Sequence, residues 1–226
     1  FINVGDGLLP NVNKGPNLQA GIFAVGQLEH VLADGEGHDL RGAIGGRAID
    51  TLNNVQNNVD YGIGKLEARN GANIWGAVIS TEDFSNYWGT GGGGVVADIN
   101  EIKLSGGGDL VDNIIRAINV NRVDVKDGVW DANFLEVTTN IGTLRADHFR
   151  DTTDTTSEEG TNFFAADNQN VILASGNLDQ IETNKRAGDI RDLLIDLQGD
   201  IGKVRAYSID GLLLFVDNNV GQVDAK

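Results

Sequence analysis

Hydrophobic and polar positions along the chain follow one short motif: an aliphatic residue, then Gly, Asn or Asp, then any residue, then a second aliphatic. It reads Ile63-Gly64-Lys65-Leu66, Ile99-Asn100-Glu101-Ile102, Val120-Asn121-Arg122-Val123 and Ile141-Gly142-Thr143-Leu144. It returns as Leu178-Asp179-Gln180-Ile181, Ile201-Gly202-Lys203-Val204 and Val220-Gly221-Gln222-Val223. Val25-Gly26-Gln27-Leu28 is read as an earlier copy, and Ile44-Gly45-Gly46-Arg47 as a weaker one without the second aliphatic. The copies start at intervals of one or two units of roughly twenty residues, the signature of a repeat architecture. Chance matches such as Val111-Asp112-Asn113-Ile114 and Ile209-Asp210-Gly211-Leu212 fall off the period, so the spacing carries the argument more than the motif.

Aliphatics such as Ile63, Leu66 and Ala68, or Ile201, Val204 and Ala206, suggest short strands with one buried face. The Gly/Asn/Asp position is where a backbone turns through positive φ at little cost, so Gly64, Asn121, Gly142 and Gly202 are predicted as left-handed corners or strand ends. Stacked coils of this kind make an all-β parallel β-helix, or solenoid, of about 20 residues per coil. The expected domain is the whole of 1–226. Polar or glycine-rich insertions are expected near 81–94 and 151–161, and one short helix can be accommodated. About eleven coils at the strand spacing would make a rod on the order of 50 Å long. A helical alternative exists: Leu110, Val111, Ile114, Ile115 and Ile118 fall at helical spacing, as do Ile190, Leu193, Leu194 and Leu197. Ile49, Leu52, Val55 and Val59 do so more loosely. Many β-branched residues over 119–125 and 129–144 argue against it.

Composition narrows the function classes. The 226 residues carry 17 Lys+Arg against 33 Asp+Glu, a formal net charge of −16. Such a surface does not suit phosphate backbones or a basic membrane-surface helix, so neither nucleic acid nor membrane insertion is expected. No apolar run approaches the ~20 residues of a membrane helix. With no cysteine, disulfides, thiolate metal sites and cysteine nucleophiles are excluded. The chain holds no methionine and starts at Phe1, which leads to the expectation of a processed or partial product.

Ile2-Asn3-Val4-Gly5-Asp6-Gly7-Leu8, Gly21-Ile22-Phe23-Ala24 and Asp39-Leu40-Arg41-Gly42-Ala43-Ile44 together resemble large secreted bacterial surface proteins built from parallel β-helix repeats. Ile74-Trp75-Gly76-Ala77-Val78-Ile79, Gly108-Asp109-Leu110-Val111 and residues 201–226 look like further coils of that type. The resemblance implies an adhesin or an envelope or filament component. It also implies that 110–118 is a strand pair.

Candidate chemistry is sparse. Asp34-Gly35-Glu36-Gly37-His38-Asp39 sets acids on a glycine-rich turn, and hard oxygen ligands there suit Ca²⁺, with Asp34, Glu36 and Asp39 as ligands; a solvated loop is the plainer reading. The acidic, hydroxyl-rich run 151–160 is a second cation candidate or an exposed loop. Tyr87 and Trp88, beside Asn86, offer aromatic faces to a sugar ring, or else cover a coil. The only histidines, His30, His38 and His148, form no helical zinc pair. Carboxylates recur as Asp124, Asp127 and Asp131 and as Asp189, Asp192 and Asp196, a pattern that glycoside cleavage could use but that 33 acids also produce by chance.

These observations lead to the expectation of a non-catalytic extracellular or cell-surface protein, structural or adhesive, in a bacterial surface layer, fibre or filament. No cofactor is required and Ca²⁺ is optional. Expected partners are copies of the chain end to end, further repeats of a parent chain, or surface polysaccharide. The alternative is a carbohydrate-active β-helix enzyme, a polysaccharide lyase or hydrolase; a small α/β binding protein follows only from the helical reading.

Overall fold

The computed structural model describes residues 2–4, 22–24, 27–46, 62–81, 97–150, 170–184 and 187–225. They form a parallel β-solenoid, with eighteen strands and no helix among the described residues. In chain order these are β1 (Ile2–Val4), β2 (Ile22–Ala24), β3 (Leu28–Asp34), β4 (Leu40–Gly46), β5 (Ile63–Arg69) and β6 (Ile74–Ser80). Then come β7 (Ile99–Ser105), β8 (Leu110–Val111), β9 (Ile114–Ala117), β10 (Val120–Asp131), β11 (Phe134–Val137) and β12 (Ile141–Arg150). The last six are β13 (Asn170–Ala174), β14 (Leu178–Thr183), β15 (Asp189–Leu197), β16 (Ile201–Ala206), β17 (Ser208–Val216) and β18 (Val220–Ala225).

All pairings are parallel and fall into three stacks. The first runs β1, β3, β5, β7, the start of β10, the start of β12, β14, β16 and β18. The second is short. It joins Leu40, residues 74–75, β8, residues 130–131, residues 149–150, Ile190 and Ile209. The third joins β2, the end of β4, the end of β6, β9, β11, β13 and the ends of β15 and β17. First-stack strands from β3 onward begin 35, 36, 21, 21, 37, 23 and 19 residues apart. The unit is therefore 19–21 residues wherever the chain is described without interruption. The long intervals contain 47–61, 82–96 and 151–169, which lie outside the described residues and take in all but Thr81 of the insertion expected near 81–94 and the whole of the one expected near 151–161. Nine first-stack strands make a stack roughly 40 Å long at the strand spacing, shorter than the eleven-coil estimate.

The interior is a column of aliphatics. Leu66, Ile102, Val123, Leu144, Ile181 and Val204 follow one another in register and are fully buried, as Ile63 is one position-set earlier. In the second stack Trp130 and Phe149 continue Leu110, their ring centroids 5.8 Å apart. Register also corrects two motif copies. Leu28 pairs with Ile63, so the early copy is Leu28-Glu29-His30-Val31, three residues later than read. Ile44 pairs with Ile79 in the third stack and starts no coil.

The corner residues meet the strand-end half of the expectation and not the left-handed half. Gly64, Asn121, Gly142 and Gly202 are second residues of strands and have no positive φ. Glycine is used there for close approach: a Cβ on Gly142 or Gly202 would sit 2.2 or 2.4 Å from the carbonyl oxygen of Asn121 or Asp179. The left-handed column lies between the second and third stacks, at Gly76, Asp112, Ala132, Asp192 and Gly211, with φ of 60, 54, 50, 49 and 67°. That corner explains the helical spacing. Ile190 and Leu193 both point inward because Asp192 turns the chain between them, so period 2 becomes a single step of 3. Leu110 and Asn113 repeat the trick around Asp112.

Three corners are tied by side-chain ladders. Inside, Asn133 Oδ1 accepts from the backbone N–H of Asn113 (3.0 Å) and from its Nδ2 (2.8 Å), while Asn133 Nδ2 donates to the Leu110 carbonyl (2.7 Å). Asn113 serves Ala77 N–H and the Ile74 carbonyl in the same way one coil earlier. Asn170 accepts from Asn133 N–H and ends the ladder; its own Nδ2 finds no acceptor, and Leu193 continues the column. These three asparagines are 0–1% exposed. Removing one side chain orphans a buried N–H and a buried carbonyl. Asn133→Leu, which copies the apolar Leu193, should therefore lose about 3 kcal/mol or more in urea unfolding. Asn219→Ala, on an exposed rung, should lose less than about 1 kcal/mol.

Ala132 gives a second check. An L-residue with a Cβ costs roughly 1–2 kcal/mol at this φ, of which glycine's added chain entropy returns about half. Ala132→Gly should gain up to about 1 kcal/mol and Ala132→Val lose about 1 kcal/mol or more by the same measurement.

Candidate functional site

The turn expected to hold Ca²⁺ connects β3 to β4. The Asp34 carboxylate is bound by the next coil, accepting from Arg69 (2.8 Å) and Asn70 (2.6 Å). Its carbonyl accepts from His38 Nδ1 at 2.6 Å. Asp39 is buried and accepts from Asn73 N–H (3.0 Å) and Arg41 (3.2 Å), while Glu36 is exposed. Asp34, Glu36 and Asp39 are not brought together: no group of three or more His, Cys, Asp or Glu among the described residues is placed to hold a metal ion. Asp39 instead starts a ladder, Asp39 to Asn73 to Asp109 to the Val129 N–H, that fixes the corner between the first and second stacks. Tyr87 and Trp88, and the acidic run 151–160, lie outside the described residues.

Two of the three histidines, His30 and His148, are held by acids of neighbouring coils. His30 meets Glu67 at 3.0 Å, and His148 Nδ1 meets Asp189, which also binds Arg191 at 2.6 Å. The carboxylate sets read from sequence do not converge either. Asp124 lies outward in the first stack between Lys103 and Arg145, Asp127 sits at a corner with φ 62°, and Asp131 is in the second stack. Asp189 is at a strand start, Asp192 at a left-handed corner and Asp196 is exposed on the third stack.

A different acidic corner forms around Asp109, Asp112, Asp131 and Asp147, with Arg150 nearby. Burial pushes the Asp109 carboxyl up, and the charges of Asp131 and Asp147 add to it; the Val129 N–H and Arg150 pull the other way. Burial and Asp131 raise Asp112. Sequence spacing missed this group because its members come from consecutive coils.

The outer face of the first stack is a ladder of alternating charge: Glu67, Lys103, Asp124, Arg145, Glu182, Arg205 and Asp224 in one register. Arg145 pairs with Glu182 at 2.6 Å. Glu67 is opposed by burial, but Lys65, His30 and Arg69 outweigh it and hold its pKa low. The third stack carries the reverse chemistry, an outward column of Val78, Ile114, Phe134, Val171, Leu194 and Leu213.

Exposed apolar surface concentrates at the C-terminal coil. Tyr207, Leu213, Phe215, Val220 and Val223 are 47–58% exposed, while interior positions elsewhere are closed. Among the described residues β17 pairs with β15 and β18 with β16, and neither pairs with a further strand. The apolar run Leu212-Leu213-Leu214-Phe215-Val216 is the sequence signal for this, since an alternating strand needs only every second residue apolar.

No protein-family model, curated protein or solved structure matches the chain.

The acidic corner gives a pH test. A carboxyl whose pKa is raised by folding keeps its full contribution at low pH and costs stability as pH rises through its ordinary range toward the raised value. Asp112→Asn keeps a side chain that tolerates left-handed φ and removes the charge. The variant should melt higher than the parent at pH 7, and the difference should close as pH falls through the raised pKa. Glu67 acts with the opposite sign: its contribution is lost as pH falls through the lowered pKa, so Glu67→Gln should melt lower at pH 7.

Proposed function

We propose that this chain is a non-catalytic extracellular or cell-surface protein, a structural or adhesive module of a bacterial surface layer, fibre or filament. The observation that supports it best is the set of side-chain ladders that bond coil to coil along the stack and leave the corners to scaffold chemistry. The likeness to secreted bacterial β-helix surface proteins supplies the compartment. The cysteine-free, strongly acidic composition is compatible with it. Most polar side chains at the corners serve coil-to-coil bonding, consistent with a scaffold role. Surface polysaccharide is a partner this reading admits, and Ca²⁺ enters it as a charge-screening ion.

A second reading, a polysaccharide lyase or hydrolase, is favoured by one observation: Asp109 and Asp112, both with raised pKa, stand beside Asp131 and Arg150. A carboxyl with a raised pKa near a second carboxyl is what the general acid of glycosidic cleavage needs. A panel of acidic and neutral polysaccharides separates the two. The structural reading expects no new reducing ends and no unsaturated products over the pH range in which those acids titrate. Cleavage that disappears in Asp109→Asn would establish the enzyme.

A further inference from the structure

We propose that Asn70 is a site of spontaneous deamidation in the folded protein, and that the carboxylate formed there releases a tie between consecutive coils at the turn after β5.

Asn70-Gly71 is the one Asn-Gly pair in the sequence. Deamidation starts when the backbone nitrogen of the following residue attacks the asparagine Cγ, and glycine, which has no Cβ, hinders that attack least. The pair forms a two-residue turn with φ of 55 and 84°, closed by the Ala72 N–H on the Arg69 carbonyl at 3.2 Å. Asn70 is exposed, and among the described residues the Gly71 N–H is donated to no backbone carbonyl. The next coil passes the turn as Gly106, where a Cβ would lie 3.1 Å from the Asn70 nitrogen and Cα, so that residue lays no side chain over it.

The asparagines of the first corner seam are protected by contrast. Each precedes an aliphatic residue whose N–H is already donated to the following coil. Val120 after Asn119 donates to the Asn140 carbonyl (3.1 Å), Ile141 after Asn140 to the Asn177 carbonyl (2.7 Å), and Leu178 after Asn177 to the Asp200 carbonyl (2.9 Å). Attack by any of these nitrogens breaks a bond of the solenoid ladder and brings a branched side chain against Cγ.

At Asn70 the Gly71 nitrogen gives up its proton and bonds to Cγ, the Cγ–Nδ2 bond breaks, and Nδ2 leaves as ammonia. Water then opens the succinimide at either carbonyl, giving aspartate or isoaspartate, with no redox step. The product has a consequence for the stack. Asn70 Nδ2 donates to Asp34 Oδ1 at 2.6 Å, across consecutive coils. Aspartate replaces that donor with an acceptor and sets carboxylate against carboxylate, beside the Arg69 that Asp34 holds at 2.8 Å. Isoaspartate also lengthens the backbone of the turn.

The test incubates the full chain, folded, at neutral and mildly alkaline pH, and maps its peptides by mass spectrometry with isoaspartate resolved from aspartate. Asn70 should lose its carboxamide before Asn140 and Asn177, which are equally exposed, with isoaspartate among the products. The loss should be faster at the higher pH, because the deprotonated amide is the nucleophile. Asn70→Asp keeps a residue type that tolerates left-handed φ, so it isolates the lost donor and the added charge. It should melt below the parent, and added salt should narrow the gap. Conversion of Asn70 no faster than of Asn140, or only in the urea-unfolded chain, overturns the site. An Asn70→Asp variant that melts with the parent overturns the release.

Discussion

Every coil of this protein depends on asparagine and aspartate side chains that act as an extra strand at the corners. A parallel solenoid can hydrogen-bond its strands to the coils above and below, but the chain must leave strand geometry to turn. The backbone groups there lose their ladder partners, and an unmet buried group costs about 1–3 kcal/mol. A side-chain amide one bond longer than the backbone restores the match. At the corner into the first stack, Asp98, Asn119, Asn140, Asn177 and Asp200 each accept the N–H of the next in a series that ends at Asn219. Asp39, Asn73 and Asp109 do the same at the next corner, while inside the third Asn113, Asn133 and Asn170 each accept an N–H from the coil before. Coil spacing, aliphatic register and the outward charge ladder follow from those three seams.

Much of the architecture was legible because the interior column repeats at the coil period, and residues such as Val123 and Leu144 announce it. The corners were harder. The glycine of Ile141-Gly142 looks like a turn residue, yet its role is steric, because a carbonyl of the coil below passes where a Cβ would be. The true left-handed column mixes Gly76, Asp112, Ala132 and Asp192, and no single residue type marks it. The helical alternative arose from the same feature, since one left-handed residue between Ile190 and Leu193 mimics a helical step. A stronger signal lay one residue before each aliphatic start, in the repeated Asp98-Ile99, Asn119-Val120, Asn140-Ile141, Asn177-Leu178, Asp200-Ile201 and Asn219-Val220.

The site chemistry was less legible, for a related reason. In a solenoid, sequence neighbours along one turn diverge, and residues about twenty positions apart meet. Asp34, Glu36 and Asp39 look like a ligand set in the sequence, but Asp34 answers to Arg69 and Asp39 to Asn73, both one coil away. Asp109, Asp131 and Asp147 look unrelated and come together.

Backbone amide hydrogen exchange, resolved by residue in the native state, tests the seams most directly. The N–H groups of Asn140 and Asn177 belong to exposed residues outside any strand, yet each is donated to the carboxamide oxygen of the coil before it. The ladder account predicts that they exchange as slowly as the strand amides of Val123 and Leu144. Exchange near the rate of a fully solvated, unbonded amide would contradict it, and the coils would then be held by their strand pairing and aliphatic column without the seams.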